Sequence, residues 1–289
     1  QTGMGKSFNI ANKEKSILDN FNNPQIYDTI KNLYYQPFWR NDSLYVLEFR
    51  LKNKDTIHKL IQKIDYVIGS GQHTNSHLYN INGYIHQIPY TFYSQENKAS
   101  LPPGYENGNN TRFSREIGLE CMSCHNAHPG FIETSNNKYD YIPNGIDCER
   151  CHGPGEIHVN EKLKGIIIDT SKHIDYSIVN PSKLSDELKF DICSRCHLQG
   201  ISILKNNKEW EDFKPGMGLS EVMEIYLPKH ENNEDFIMAS HVDRLKQSKC
   251  YTIGEVSCID CHNPHKSVTK TSQDFFNNKC SKCHSSCEQ

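Results

Sequence analysis

The chain has no run of about eighteen apolar residues, the length that a membrane-spanning helix of ordinary size requires. A surplus of either charge is also missing. The 32 Lys and Arg face 35 Asp and Glu, for a formal net charge of −3, and without a basic excess nucleic acid is not an expected partner. Hydrophobic residues make up only 36% of the 289 residues, which is thin for a large conventional core. The opening Gln1-Thr2-Gly3-Met4-Gly5 lacks the basic and apolar segments of a secretory leader. Cysteine is absent from residues 1–115, so any thiol chemistry belongs to the rest of the chain.

What the rest holds is repetition. Cys-x-x-Cys-His occurs five times: Cys121-Cys124-His125, Cys148-Cys151-His152, Cys193-Cys196-His197, Cys258-Cys261-His262 and Cys280-Cys283-His284. This spacing is the attachment signal for c-type haem. Two thiols add across the haem vinyl groups, and the adjacent histidine is placed to bind iron from the proximal side. Zinc knuckles share the Cys-x-x-Cys element, yet they come in pairs and need no histidine after every second cysteine. A disulfide framework fits poorly, because ten of the twelve cysteines already stand in the motifs. The expected cofactor is therefore haem c, five copies, covalently held.

Covalent haem attachment takes place outside the cytoplasmic membrane, so the expected location is periplasmic or extracellular and the chain is expected to be a mature or trimmed form. Five haems would add roughly −5 to the charge through their propionates. Their flat apolar faces would also supply the buried surface that the composition lacks. The fold is then expected to depend on haem, with the apoprotein largely unfolded.

The expected architecture is a mainly α and irregular multihaem cytochrome c fold with a small mixed or β N-terminal region. Residues 1–115 form the motif-free part, partly β and expected to supply axial ligands; residues 116–289 form the pentahaem part. Within the first, Leu44–Leu51 alternates as a strand does, and Asp65–Ile68 resembles another. Asn82-Gly83 between two Tyr- and Ile-rich runs signals a hairpin with a two-residue turn, a register in which Tyr79 faces His86. Asn pairs at 22–23, 109–110, 136–137, 206–207, 232–233 and 277–278 are expected in loops. In the second part, Asp186–His197 is expected to be helical, and Met238, Val242 and Leu245 suggest a helix over 238–249. Gly153-Pro154-Gly155 should end the helix of the second motif, and Pro215-Gly216-Met217-Gly218 should be a loop before a short helix. Gly5-Lys6-Ser7 copies the end of a phosphate-binding loop, but the match is incomplete and no strand precedes it.

Sixth iron ligands must come from the histidines outside the motifs. Of these, His128 and His265 each follow a motif histidine by three residues, and His158 follows Cys-His-Gly-Pro-Gly-Glu-Ile. A residue three positions after the proximal histidine lies on the wrong face of its own haem, so His128 and His265 are expected to bind a neighbouring haem. His73 sits in the glycine-rich Gly69–Thr74 loop, which lets backbone approach a flat cofactor. It is the expected ligand from the N-terminal part, with His241 on a helix face as a further candidate. Only five methionines exist, so low-potential bis-histidine haems are expected over methionine-ligated ones. The remaining cysteines, Cys250 and Cys287, are read as a disulfide, a reactive thiolate or inert buried thiols.

Cys148–His158, Val179–Leu184 and the Cys-His-Asn-Pro-His run at 261–265 resemble multihaem cytochromes c, in the superfamily that includes small tetrahaem electron-transfer cytochromes and pentahaem nitrite reductase. Thr2–Phe8, the Gly69–Thr74 loop and Leu119–Asn126 are similar to a poorly characterised secreted branch. That branch implies a further haem motif before the Thr-Gly-Met-Gly segment, and so a longer parent protein. The nitrite reductase's Cys-x-x-Cys-Lys motif is absent here, which counts against that activity. The resemblance implies electron transfer among redox partner proteins, with homo-oligomers or a conducting extracellular filament as a further expectation. The alternative is an oxidoreductase acting on a small nitrogen or sulfur compound at one open haem, with Arg112, Arg115, Tyr251 or a spare histidine as assisting groups.

Overall fold

The computed structural model describes residues 2–13, 25–198, 200–227 and 240–284. The chain forms two compact units, one of Gly3–Ile146 and one of Asp147–Gln289 with Gln1–Thr2. The first haem motif lies within the first unit and the other four within the second.

The first unit is built from strands because its sequence alternates aromatic and β-branched residues with polar ones, a pattern that suits a half-buried pleated surface. One antiparallel sheet runs in the order β1 (Phe8–Ile10), β6 (Tyr66–Ile68), β7 (Thr74–Ile81), β8 (Tyr84–Tyr93), β9 (Lys98–Ser100). A second runs β2 (Ile26–Asp28), β3 (Leu33–Arg40), β4 (Ser43–Lys52), β5 (Asp55–Ile64). Asparagine makes the tight turns. Asn53 and Lys54 join β4 to β5, and Asn82 and Gly83 join β7 to β8, all at positive φ. That is the turn geometry whose twist matches a hairpin. The expected register holds, with Tyr79 opposite His86 and their rings stacked at 5.2 Å.

Tyr35, Leu44, Val46 and Ile64 of the four-stranded sheet meet Val67, Tyr79, Ile88 and Tyr90 of the other in one buried cluster, so the two sheets pack face to face. On the opposite face of the five-stranded sheet, Phe8, Leu78 and Ile85 gather with Ile117, Met122 and Tyr139. Met122 lies on α1 (Leu119–His125), and Tyr139 opens β11 (Tyr139–Tyr141), which pairs with β10 (Gly130–Phe131). The interior strand β8 is consequently buried on both faces from Gln87 to Phe92.

The second unit is made of short pieces: α2 (Glu149–His152), α3 (Glu156–Leu163), α4 (Asp186–His197), the hairpin β12 (Ile201–Leu204) with β13 (Met223–Tyr226), α5 (His241–Gln247), α6 (Lys249–Thr252), α7 (Cys258–Cys261) and α8 (Gln273–Cys280). Its own buried cluster is small, with Phe213, Leu219, Val222 and Met223 against Ile192 and Trp210. Elsewhere large apolar side chains face outward, among them Leu163 at 81%, Ile167 at 84% and Tyr176 at 88% exposure.

The expectation of a mainly helical protein with a small β annex is overturned. Strands make up about 28% of the structure and helices about 25%. The alternation that marked Leu44–Leu51 extends over most of the first hundred residues, and Asn-centred turns fold it into two full sheets. Each haem motif, in contrast, supports only a helix of four to twelve residues. Asp186–His197 is helical as expected, capped by Ser185, whose hydroxyl accepts from the Leu188 amide. Gly153, at φ 75°, ends α2, and Pro215–Gly218 leads into a single turn at Leu219–Glu221. The Asn277–Asn278 pair falls inside α8 instead of a loop, because Ser272 caps that helix and its packing residues Phe275 and Phe276 flank the pair. The helix expected over 238–249 is described from His241, is broken at Ser248, and has Met238 outside the described residues. Gly5-Lys6-Ser7 enters strand β1 from a single 3-10 turn.

Candidate haem-binding sites

Four of the five motifs are anchored by residues between their cysteines. In α1, Met122 and Ser123 are buried, and the Ser123 hydroxyl donates to the Glu120 carbonyl. In α2, Arg150 makes a two-point ion pair with Glu211, at 2.6 and 2.9 Å. In α4, Arg195 donates to the Trp210 carbonyl at 2.9 Å and lies over the indole ring. One loop thus fastens the second and third motifs through neighbouring residues. In α7, Asp260 accepts from both the amide and the hydroxyl of Ser257, closing the first turn.

The ring positions are the informative geometry. His152 and His265 lie nearly parallel, with centroids 5.8 Å apart and planes 13° from each other. His197 and His241 are 5.1 Å apart and almost perpendicular, at 88°. Metal–imidazole bonds of about 2 Å on both sides of one ion would put ring centres about 6 Å apart. Each pair joins a motif histidine to one of the sequence-named candidates. His262 instead meets Phe276 edge-on at 5.8 Å. His284 follows α8, its amide donating to the Cys280 carbonyl.

Other candidates are held by oriented partners. Nδ1 of His152 bonds the Val179 carbonyl at 2.9 Å, and Nδ1 of His158 on α3 bonds the Ser177 hydroxyl at 3.0 Å. A ligating histidine usually commits one ring nitrogen in this manner, which leaves the other for metal. Asp175 stands 3.4 Å from His158, and its carboxylate is held well below the usual range by Lys162 and by Ser177. Segment 175–179 therefore orients both rings. Sequence reasoning missed this role, since 27 residues separate His152 from Val179 and a backbone carbonyl leaves no side-chain signature.

In the first unit, Ser7 ties the pieces together. Its carbonyl accepts from the Gly69 amide, and its hydroxyl donates to the His125 carbonyl. The loop that carries His73 is thereby linked to the first motif through one residue. Gly69 is required for a different reason from the one expected: at φ 131° a Cβ would strike the Thr74 carbonyl oxygen, so this glycine closes the turn between β6 and β7. Burial lowers the pKa of His125, and its Nδ1 has no hydrogen-bond partner among the described residues. His128 is exposed. His77 is a core residue, its Nδ1 at 3.1 Å from the Tyr90 carbonyl.

The donor set fits haem better than a bare ion. Among the described residues no three His, Cys, Asp or Glu side chains gather as a metal cage, whereas imidazoles face each other in pairs. The motif cysteines carry no disulfides. Cys193 and Cys258, from different motifs, line one small cleft, and each other's presence raises the first thiol's pKa and lowers the second's. Cys250 is an exposed thiol, contrary to the buried reading, and Cys287 lies outside the described residues. Three of the groups named for an enzymatic reading have structural partners. Arg112 pairs with Glu48, Arg115 bonds Gln87 and covers the Tyr105 ring, and Tyr251 packs on Phe190.

No helix among the described residues is long and apolar enough to cross a membrane. No family model matches the chain, and no solved structure matches it. Among curated proteins it is similar to the multihaem cytochrome MtrA of Shewanella baltica (strain OS185), with 21% identity over 210 residues. The matched region covers 65% of this chain and 57% of that protein, so the chain spans a little over half the length of the relative. Together with the repeated motifs, this likeness supports a relationship to the multihaem c-type cytochromes.

Proposed function

We propose that this chain is a multihaem electron-transfer cytochrome that holds five haems c through the cysteines and histidines of its five motifs. The observation that carries the reading is the pairing of imidazoles, His152 with His265 and His197 with His241. Two histidines on one iron fill both axial positions. An iron so filled exchanges electrons and has no site for substrate, and paired imidazole ligation keeps its potential lower than methionine would. Haem supplies the one-electron iron couple; the chain supplies ligands, apolar cover and spacing.

His265 and His241 are the second ligands of the haems at the second and third motifs. His73 serves the first motif, reached through Ser7, and His158 is a further donor within the second unit. Leu163, Ile167 and Tyr176, exposed in the polypeptide, are apolar surface suited to covering porphyrin. Likeness to a multihaem cytochrome extends the reading to redox partner proteins and a periplasmic or extracellular site of action.

The test is carbon monoxide binding. The reduced holoprotein is expected to give no carbon monoxide difference spectrum, while the denatured polypeptide carries the mass of five haems. Binding at one haem per chain would overturn the all-six-coordinate reading and favour an oxidoreductase. A bare mass would remove the haem assignment altogether.

A further inference from the structure

The segment Cys258–His265 touches three other motif-bearing parts of its unit. Its first residue, Cys258, lines one small cleft together with Cys193 of the third motif, Phe190 and Ile259. Its motif histidine, His262, stands against Phe276 of the helix that ends on Cys280 of the fifth motif. Three residues later, His265 lies against His152 of the second motif. Eight residues span at most about 27 Å even when fully extended, and here half of them are coiled into α7. These contacts follow an order that the sequence does not have. The third motif comes between the second and fourth in the chain, yet the second and third each meet the fourth.

We propose that the Cys258–His265 segment is the junction of the second unit: it holds its own haem, gives His265 to the haem of Cys148 and Cys151, and sets its attachment thiol against that of the third motif. This rests on the haem reading above. A thioether fixes the haem periphery at its sulfur, so two attachment cysteines on one small cleft bring two haem edges near each other. A ligand three residues from a proximal histidine holds two irons within the reach of one turn of chain. Electrons moving among the second, third and fifth haems would then pass through the fourth, and the path would branch there instead of following motif order.

Two measurements on the full-length holoprotein decide this. His265→Met, with five haems still counted by mass, should move one centre of the redox titration upward, because methionine raises the potential. In a Cys148→Ala/Cys151→Ala background that upward shift should vanish. If it survives there, or vanishes only when Cys258 and Cys261 are replaced, His265 does not serve the second haem and the proposal fails. The second measurement is the Soret circular dichroism couplet that close haems produce. It should lose most of its amplitude in Cys258→Ala/Cys261→Ala and keep it in Cys121→Ala/Cys124→Ala, each confirmed to hold four haems. Equal losses, or a couplet intact without the fourth haem, would overturn the junction. A wild-type chain without five haems would instead overturn the reading on which the junction rests.

Discussion

Glu48 shows how far a residue can depart from what its neighbours in sequence suggest. In the Leu47-Glu48-Phe49 stretch it reads as a polar position on a strand's outer face, yet it points inward and is fully buried. Its carboxylate is met by Arg112 from 64 residues away, by His58 at 2.7 Å, and by the Tyr35 hydroxyl. Burial by itself would raise the Glu48 pKa; the Arg112 and His58 hydrogen bonds outweigh it and the value falls. A depressed carboxylate contributes stability above its unfolded value of about 4.3, and that contribution drains away as the pH falls through the lower folded value. Arg112→Met leaves a buried anion without its main partner. It should cost about 3 kcal/mol, the low end for a broken buried pair, because Arg112 is itself partly in water. Urea denaturation at neutral pH measures the loss. In acid, where Glu48 is protonated, the variant and the parent should converge. At the same scale Tyr79 facing His86 was legible, because a two-residue Asn-Gly turn fixes the register. The Glu48 network was not, since only tertiary packing brings Arg112 back to it.

At the scale of elements, the motif helices are too short to persist by themselves: four residues in α2 and α7 fall far below the length at which an isolated helix is stable. They stand because their spacer residues are tied to other parts of the unit. The Cys-x-x-Cys-His spacing announced where these elements lie and which atoms they present. It carried no information on Arg150 to Glu211 or Arg195 to Trp210, because the spacer positions are the variable ones and their partners lie in an unpatterned loop. Glu211→Ala removes both bonds to Arg150, whose side chain is only 11% exposed. The expected cost is about 2 kcal/mol, in the range for hydrogen bonds to charged groups. Amide exchange at Glu149–His152 should quicken by more than tenfold, with little change in α1. Unaltered exchange in α2 would show that the ion pair does not hold the motif.

Across the whole molecule, the two units bury apolar surface by different means. The first closes its own core, with Tyr35, Tyr90 and Tyr105 fully buried and sheets packed through Leu44, Val46, Ile64 and Val67. Each such side chain is worth about 1.5–3 kcal/mol against an exposed state, and none of that gain calls for a cofactor. Among the described residues, the second unit has one small cluster and leaves Leu163, Ile167, Ile174 and Tyr176 outward. Average composition hid this asymmetry: a hydrophobic fraction of 36% is a mean over one conventional β unit and one loop-rich unit. The expectation of a largely unfolded apoprotein therefore divides by unit. Chain produced without haem attachment should keep slow amide exchange in β3, β4, β7 and β8 and a strand signal in circular dichroism. Protection in α4, α5 and α8 should be lost until haem is attached. Both units collapsing together would mean that the first motif's haem holds the sheets; both remaining protected would mean that the second unit packs without porphyrin. Selective retention of the sheets is the outcome expected if porphyrin supplies the core of the second unit alone.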